Sequence, residues 1–460
     1  MTAAPLTPIV ALARSLAQGK SSSRALVEEA LERITDANGE GGRAFTKVHA
    51  QSALSAADAF DRARKQGAPL APLAGLPVSI KDLFDIAGDV TAAGSKVLRD
   101  RPAAAADAPA VARLRAAGAV IIGRSNMTEF AFSGIGINPH YGTPANPWDR
   151  ASRRIPGGSS SGAAVSVADG MAAFALGTDT GGSVRIPAAL CGIAGFKPTT
   201  ARVPREGAFP LSRTLDSVGP LAPTVACCAT VFQVLAGDAA RALGAAEITR
   251  LRLGVPKNHM IEDLDVEVSE AFQSALKRLS RRGAKVVDIE VPEFTEAARA
   301  SVGGGISPPE AYAVHRKWVD RDQEIDPRVL ERILRGATMI AADYIELLAI
   351  RAQLMRRFVR ARYDIDAMIM PTVPRIAPGI EGLERSAEAF RVSNGNMLRN
   401  TSLVNFLDGC ALTLPIHPPR TAPVGMMVVG FAGEDERVLS AGLAIEAALA
   451  YQGPVLVESR

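Results

Sequence analysis

Residues 171–187 read MAAFALGTDTGGSVRIP. The portion through Asp179 is an apolar run with the length of a buried strand. It ends on a Gly-Gly step, a serine and an arginine. A small-residue helix, GAAVSVADG (162–170), leads into it, so helix, strand and turn form one unit of an alternating α/β chain. The same alternation extends outward. Upstream, LAGLPVSIKD (73–82) reads as a buried strand, and DAPAVARLRAAGAVIIG (107–123) as helix, glycine stop and strand. Downstream, strands are expected in LRLGVPK (251–257), AKVVDIEVP (284–292), AMIMP (367–371), CALTLP (410–415) and VGMMVVG (424–430). Helices are expected in VSEAFQSALKRLSRRG (268–283), over 327–364 and in EDERVLSAGLAIEAALA (434–450).

The first 65 residues read as helical, with apolar residues at helical spacing in ALVEEALERI and SALSAADAFDRARKQG. No repeat, low-complexity linker or charge block divides the chain. The expectation is therefore an α/β fold in one large domain over 1–460. A central mixed sheet would be covered by helices on both faces, with a helical cover at 296–365.

Composition narrows the class. Of 460 residues 47% are hydrophobic, enough for a large core. The 52 basic and 48 acidic side chains leave +4, a balance that does not advertise a nucleic-acid or membrane partner. The N-terminal apolar stretch is short and broken by Arg14 and Lys20, unlike a signal peptide. Cys191, Cys227, Cys228 and Cys410 form no CxxC, so reduced thiols and a cytoplasmic protein are expected. The five histidines are scattered without ligand spacing, so no metal or other cofactor is expected.

Three serine signatures compete for the chemistry. Gly158-Ser159-Ser160-Ser161-Gly162 matches a nucleophile elbow, but SRRIPG before it is loop rather than strand. Ser274-x-x-Lys277 lies in an amphipathic helix, where a solvated face is the simpler reading. The third set is dispersed: Lys81 in VSIKD, Ser159 in PGGSSSGAA and Ser183 in GTDTGGSVR. The 24 residues between the two serines suffice for a helix and a returning strand. Lys81 ends a buried strand, where an ammonium needs a partner or must lose its proton. A salt bridge to Asp82 or Asp85 would serve as well as a catalytic role.

Together these three pieces resemble the amidase signature family. A lysine in a K-D step, a serine in G-G-S-S-x-G-x-A and a serine in G-T-D-x-G-G-S-x-R-x-P stand here in that order. SNMTEFAF, YGTPANPW, CGIAGFKPT and LDSVGPLAP also look like that family. The dense part covers 75–225, and AMIMPTVP, NFLDGCALTLP and PVGMMVVG match more loosely.

The resemblance implies a Ser–Ser–Lys triad: neutral Lys81 draws a proton from Ser159, Ser159 from Ser183, and Ser183 attacks an amide carbonyl. It also implies a cis peptide before Ser159. Backbone N–H groups of Thr180, Gly181, Gly182 and Ser183 would form the oxyanion hole, and a side chain at 181 or 182 would crowd the carbonyl. Asp179 and Arg185 would pair to fix the loop. Ser160 would either hydrogen-bond within the triad or stand by. Phe132 and Ser133 fall where the family lines its acyl pocket. Ser161 departs from the glycine of many members and is similar to the allophanate and biuret hydrolase branch.

The implied activity is cleavage of C–N bonds in small amides or carbamates. A urea-derivative hydrolase is one alternative. Another is the glutaminase subunit of a tRNA-dependent amidotransferase, which needs partner subunits and a carboxylate-binding arginine in the C-terminal half. A non-enzymatic scaffold would show degenerate triad positions, and all three are intact. The arginines of RAQLMRRFVRAR (351–362) fit a solvated helix face, so RNA binding is not expected. No nucleic acid or membrane is an expected partner, and homodimerisation is left open.

Overall fold

Every residue of the strand Phe174–Asp179 is buried, and its side chains alternate between two cores. Phe174 and Leu176 join one apolar cluster with helices Val225–Ala236 and Asp435–Ala448. Ala175 joins the other with helices Ser23–Thr35, Ala50–Lys65 and Ser161–Ala168. A strand buried on both faces reads as a continuous apolar run, which is how MAAFALGTD appears in the sequence. The computed structural model describes residues 6–239, 241–257 and 259–449.

Among these residues one sheet of eleven strands runs through the molecule. In chain order they are β1 (Phe45–Val48), β2 (Pro77–Lys81), β3 (Val120–Ser125), β4 (Phe174–Asp179), β5 (Ala194–Lys197) and β6 (Ser217–Ala222). The second half adds β7 (Arg252–Pro256), β8 (Lys285–Ile289), β9 (Ala367–Pro371), β10 (Cys410–Pro415) and β11 (Gly425–Gly430). Their spatial order is β1-β3-β2-β4-β6-β5-β10-β11-β9-β7-β8. β2 runs parallel to β3 and β4, while β4–β6 and β5–β10 are antiparallel, so the sheet is mixed. The expected single α/β domain with helices on both faces is the fold observed.

Three strands escaped the sequence reading. β1 lies within the stretch read as helical. It is a four-residue edge strand with only Phe45 buried, too short for a periodic signal. β5 and β6 carry Gly195, Gly219 and Pro220, which read as breakers, yet both are wholly buried and paired on two sides. Tertiary pairing overrides local propensity there. Between β8 and β9 lie helices Pro292–Ala300, Ser307–His315, Pro327–Arg335 and Ala341–Ala361.

Candidate active site

Because β2 and β4 are parallel neighbours, their C-terminal ends open at the same edge of the sheet. In open α/β sheets that edge is where ligands bind. Lys81 is the last residue of β2, and Thr178 and Asp179 are the last of β4. Lys81 is fully buried. Its Nζ donates to Ser159 Oγ at 2.8 Å and to Thr178 Oγ1 at 2.9 Å.

Neither nearby aspartate pairs with it. Asp82 accepts from Arg124 Nε at 2.6 Å, and Asp85 accepts from Thr91 Oγ1 at 2.6 Å. Burial pushes the Lys81 ammonium down to about 7, against the more distant pull of Asp179 and Asp216. At neutral pH a large share of Lys81 is therefore an uncharged amine already hydrogen-bonded to a serine hydroxyl.

Ser159 is held by its backbone. The Gly158–Ser159 peptide is cis. Gly158 N donates to Gly134 O at 2.8 Å, and Thr128 N donates to Ser159 O at 3.0 Å. The helix that follows is buried along its whole length. Its Gly162 lies so close to Ala44 O and Asn126 that a Cβ would overlap their backbone. Ser160 N reaches Ser183 O at 3.3 Å, which sets the two serine segments side by side. Ser160 Oγ faces Thr178 O at 3.5 Å rather than the Lys81 ammonium.

Ser183 sits at the tip of the turn after β4. Among the described residues its Oγ makes no hydrogen bond. The residue opens onto a cavity of about 330 Å³, shared with Gly181, Phe132 and Ser133. Ser133 Oγ donates to Asn394 Oδ1 at 3.0 Å.

The turn is organised around Asp179. Its Oδ1 accepts from Gly182 N at 2.8 Å and Oδ2 from Val184 N at 3.1 Å. Arg185 closes a two-pronged pair, Nη2 to Oδ1 at 2.9 Å and Nε to Oδ2 at 3.0 Å, with both side chains fully buried. Asn405 Nδ2 adds a bond to Asp179 Oδ1 at 2.9 Å, and Arg185 Nη2 donates to Thr401 O at 3.1 Å. Burial works to raise the Asp179 carboxyl. Arg185, Lys197 and Asn405 outweigh it and hold the group well below the ordinary carboxylate range.

This geometry corrects the expected oxyanion set. The Gly182 N–H is already committed to Asp179, so the donors left without a partner among the described residues are those of Thr180, Gly181 and Ser183. The need for glycine at 182 also has another origin. Its φ is +133°, and a Cβ there would overlap the Thr401 side chain rather than an incoming carbonyl. At Gly181 the nearest atom to a Cβ would be Leu398 Cδ2 at 3.3 Å.

Several residues of the site were not singled out from sequence. Thr178 lies in the quoted motif, on the same strand face as Thr180, and that spacing was a usable signal. Asn405 and Thr401 come from a distant helix. Arg332 lines the Ser183 cavity, with its guanidinium 4.4 Å from the Phe132 ring centroid. Its Nε is buried without a hydrogen-bond partner. Arg328 pairs with Asp326 and Arg335 with Glu331, whereas Arg332 makes no ion pair among the described residues. Burial, with Arg335 nearby, lowers it to about 10. In the sequence it is indistinguishable from the ion-paired Arg328 and Arg335 beside it.

The two competing serine signatures resolve simply. Ser274 and Lys277 are exposed on helix Val266–Arg281. Ser159 follows loop, so no strand-to-helix elbow forms. Among the described residues no helix is long and apolar enough to cross a membrane.

Comparison with known proteins shows the family. The Amidase family model matches residues 25–439. The chain is 37% identical over 409 residues to 2-amino-5-chloromuconic acid deaminase from Comamonas testosteroni, covering 88% of each protein. It is 34% identical over 454 residues to a glutamyl-tRNA(Gln) amidotransferase subunit from Chromohalobacter salexigens, covering 91% of each. A crystal structure described as an amidase superposes with a TM-score of 0.86 at 34% identity, over 96% of this chain and 99% of that one.

Proposed function

The chain belongs to the amidase family, whose members hydrolyse C–N bonds, and from that premise we propose that Ser183, Ser159 and Lys81 carry out the reaction. The observation that carries the proposal is the buried Lys81 amine, 2.8 Å from Ser159 Oγ with no carboxylate partner and lowered to about 7. A base of that strength suits proton removal at neutral pH. Lys81 accepts the Ser159 proton as Ser159 accepts that of Ser183, and Ser183 Oγ adds to the amide carbon. The oxygen charge is met by the free N–H groups of Thr180, Gly181 and Ser183, in a turn held by Asp179 and Arg185. The same relay run in reverse protonates the leaving nitrogen, and water then cleaves the acyl-enzyme. No cofactor enters the scheme.

The acyl group would lie along Phe132 and Ser133. Arg332, in the wall of the same cavity, favours an acyl group that ends in a carboxylate, because a half-enclosed guanidinium with no ion pair lacks its natural partner. Arg332 also supports the narrower glutaminase reading, since glutamine carries such a carboxylate and that reading requires such an arginine. That reading brings partner subunits with it. A carboxylated urea derivative would use Arg332 in the same way. We place the protein in the cytoplasm on the strength of four free, buried cysteines.

The test is a panel of carboxylated and neutral amides, ureas, carbamates and glutamine on the purified protein, with trapping of the adduct by mass spectrometry. The expected result is an acyl group on Ser183, loss of turnover in Ser183→Ala, and preference for carboxylated substrates. Near-full activity of Ser183→Ala on a simple amide would overturn the mechanism. Turnover of other amides with none of glutamine would remove the glutaminase reading.

A further inference from the structure

A second cavity, about 360 Å³, adjoins the one that holds Ser183. The two share Ala131, Thr180 and Leu211 as a common wall. Their charged linings differ. The first is lined by the ion-paired Arg328, Glu331, Arg335 and Arg391 and by Arg332, which makes no ion pair among the described residues. The second contains Asp216, half-buried, which makes no ion pair among the described residues. Asp216 Oδ1 accepts from Thr180 Oγ1 at 2.5 Å, Oδ2 accepts from Leu211 N at 3.0 Å, and the Ser212 N–H is shared between both oxygens at 3.1 Å. The rim cation Arg205 favours the Asp216 charge from a distance but does not pair with it. The Arg205 guanidinium is turned to the carbonyl oxygens of Arg213 and Asp216, at 2.7 and 3.2 Å. Glu206 and Arg213 are exposed.

The second cavity also lies on the proton-donor side of the nucleophile. It is lined by Thr178, whose hydroxyl accepts from the same Lys81 nitrogen that bonds Ser159. The nitrogen leaving an acyl-serine intermediate must depart where that relay can reach it. From this geometry we infer that the second cavity is the leaving-group subsite, which takes an ammonium or primary alkylammonium ion against Asp216 while the acyl group stays with Arg332. The inference rests on the proposed Ser183 reaction. In the step concerned, the C–N bond breaks and its electron pair takes the proton that Lys81 had received from Ser183 through Ser159. The neutral amine then gains a second proton from water and pairs with the Asp216 carboxylate.

The experiment uses the full chain and a p-nitrophenyl ester of whichever acid it accepts, so that the acyl-enzyme forms without an amine leaving group. Methylammonium is added, and the N-methyl amide is measured against the hydrolysed acid. Assays at about pH 8.5 keep Lys81 mostly neutral and most methylammonium charged, and the bound ion gives one proton to water before its nitrogen attacks the acyl carbon, the reverse of the departure step. Capture should saturate with methylammonium, and Asp216→Asn should raise the half-saturating concentration about tenfold, the loss expected for an ion pair replaced by a neutral contact. Ala208→Phe, which adds bulk to the same cavity and leaves the Asp216 carboxylate in the chain, should slow N-methyl amide hydrolysis about tenfold more than that of the primary amide. If Asp216 only clamped the loop, amine capture and hydrolysis would fall together and their ratio would stay at the wild-type value. Unchanged ratios in both variants overturn the inference. Labelling of Ser183 by a fluorophosphonate is followed in parallel. Its failure in the wild-type protein would instead overturn the Ser183 reaction itself.

Discussion

Lys81 is the residue on which folding and the proposed chemistry pull in opposite directions. Burial removes the water that would stabilise an ammonium, and the fold supplies two hydroxyls in place of a carboxylate. The folded value near 7 lies below the 10.5 of an exposed lysine. Between those two values the unfolded chain holds a proton that the folded chain has lost, so stability rises with pH across that window. At and below neutral pH the folded state carries the cost of a buried cation. Lys81→Met should therefore melt at a higher temperature than the wild type near pH 7 while losing turnover, as calorimetry and an amide assay would register. A variant that melted lower would mean that the ammonium is well compensated after all. In the wild type, kcat/KM should climb as pH rises through about 7 and then level, because only the neutral amine accepts a proton. Lys81→Ala should lose activity most steeply near neutrality, where an uncharged base is least available elsewhere.

At the scale of elements, the turn after β4 works because its groups are bound from both sides. The Asp179 carboxylate collects the Gly182 and Val184 N–H groups, and Arg185 and Asn405 hold that carboxylate in place. Gly182 is the narrow point. Alanine there meets both an unfavourable φ and the Thr401 side chain, at a cost on the order of 2–4 kcal/mol. Gly182→Ala should unfold at lower denaturant and resist fluorophosphonate labelling. Gly181→Ala, which faces the flexible tip of Leu398 and, at ordinary contact distance, Ser402, should stay close to wild type in stability and lose activity through crowding of the cavity. Equal stability loss in the two variants would contradict this division. The helix Pro327–Arg335 shows the opposite balance. All three of its arginines reach the Ser183 cavity, but Arg328 and Arg335 find carboxylates, in Asp326 and Glu331, while Arg332 finds none.

For the molecule as a whole, the sheet joins a half that carries the signature motifs to a half that does not. The seam is the antiparallel pair β5–β10, with Leu412 opposite Phe196. Helix Thr401–Phe406, from the second half, supplies the contacts to Asp179 and Arg185 across more than 200 residues of chain. A fragment ending near residue 240 keeps Lys81, Ser159 and Ser183, yet it should not label with a fluorophosphonate. Labelling at the wild-type rate would show that the turn forms without Asn405 and Thr401. The sequence alone determined the alternating α/β order, the strand that ends at Asp179 and the three residues proposed for the chemistry, because each is written in local periodicity or in one short motif. The short strands β1, β5 and β6 were illegible, because their stability comes from pairing with distant strands. The tertiary structure alone decided that Lys81 bonds two hydroxyls instead of Asp82 or Asp85, and that Gly182 donates to Asp179. It also decided that Arg332 and Asp216 face adjoining cavities. Each of these depends on which distant groups exclude water from the site, and no local run of sequence encodes that.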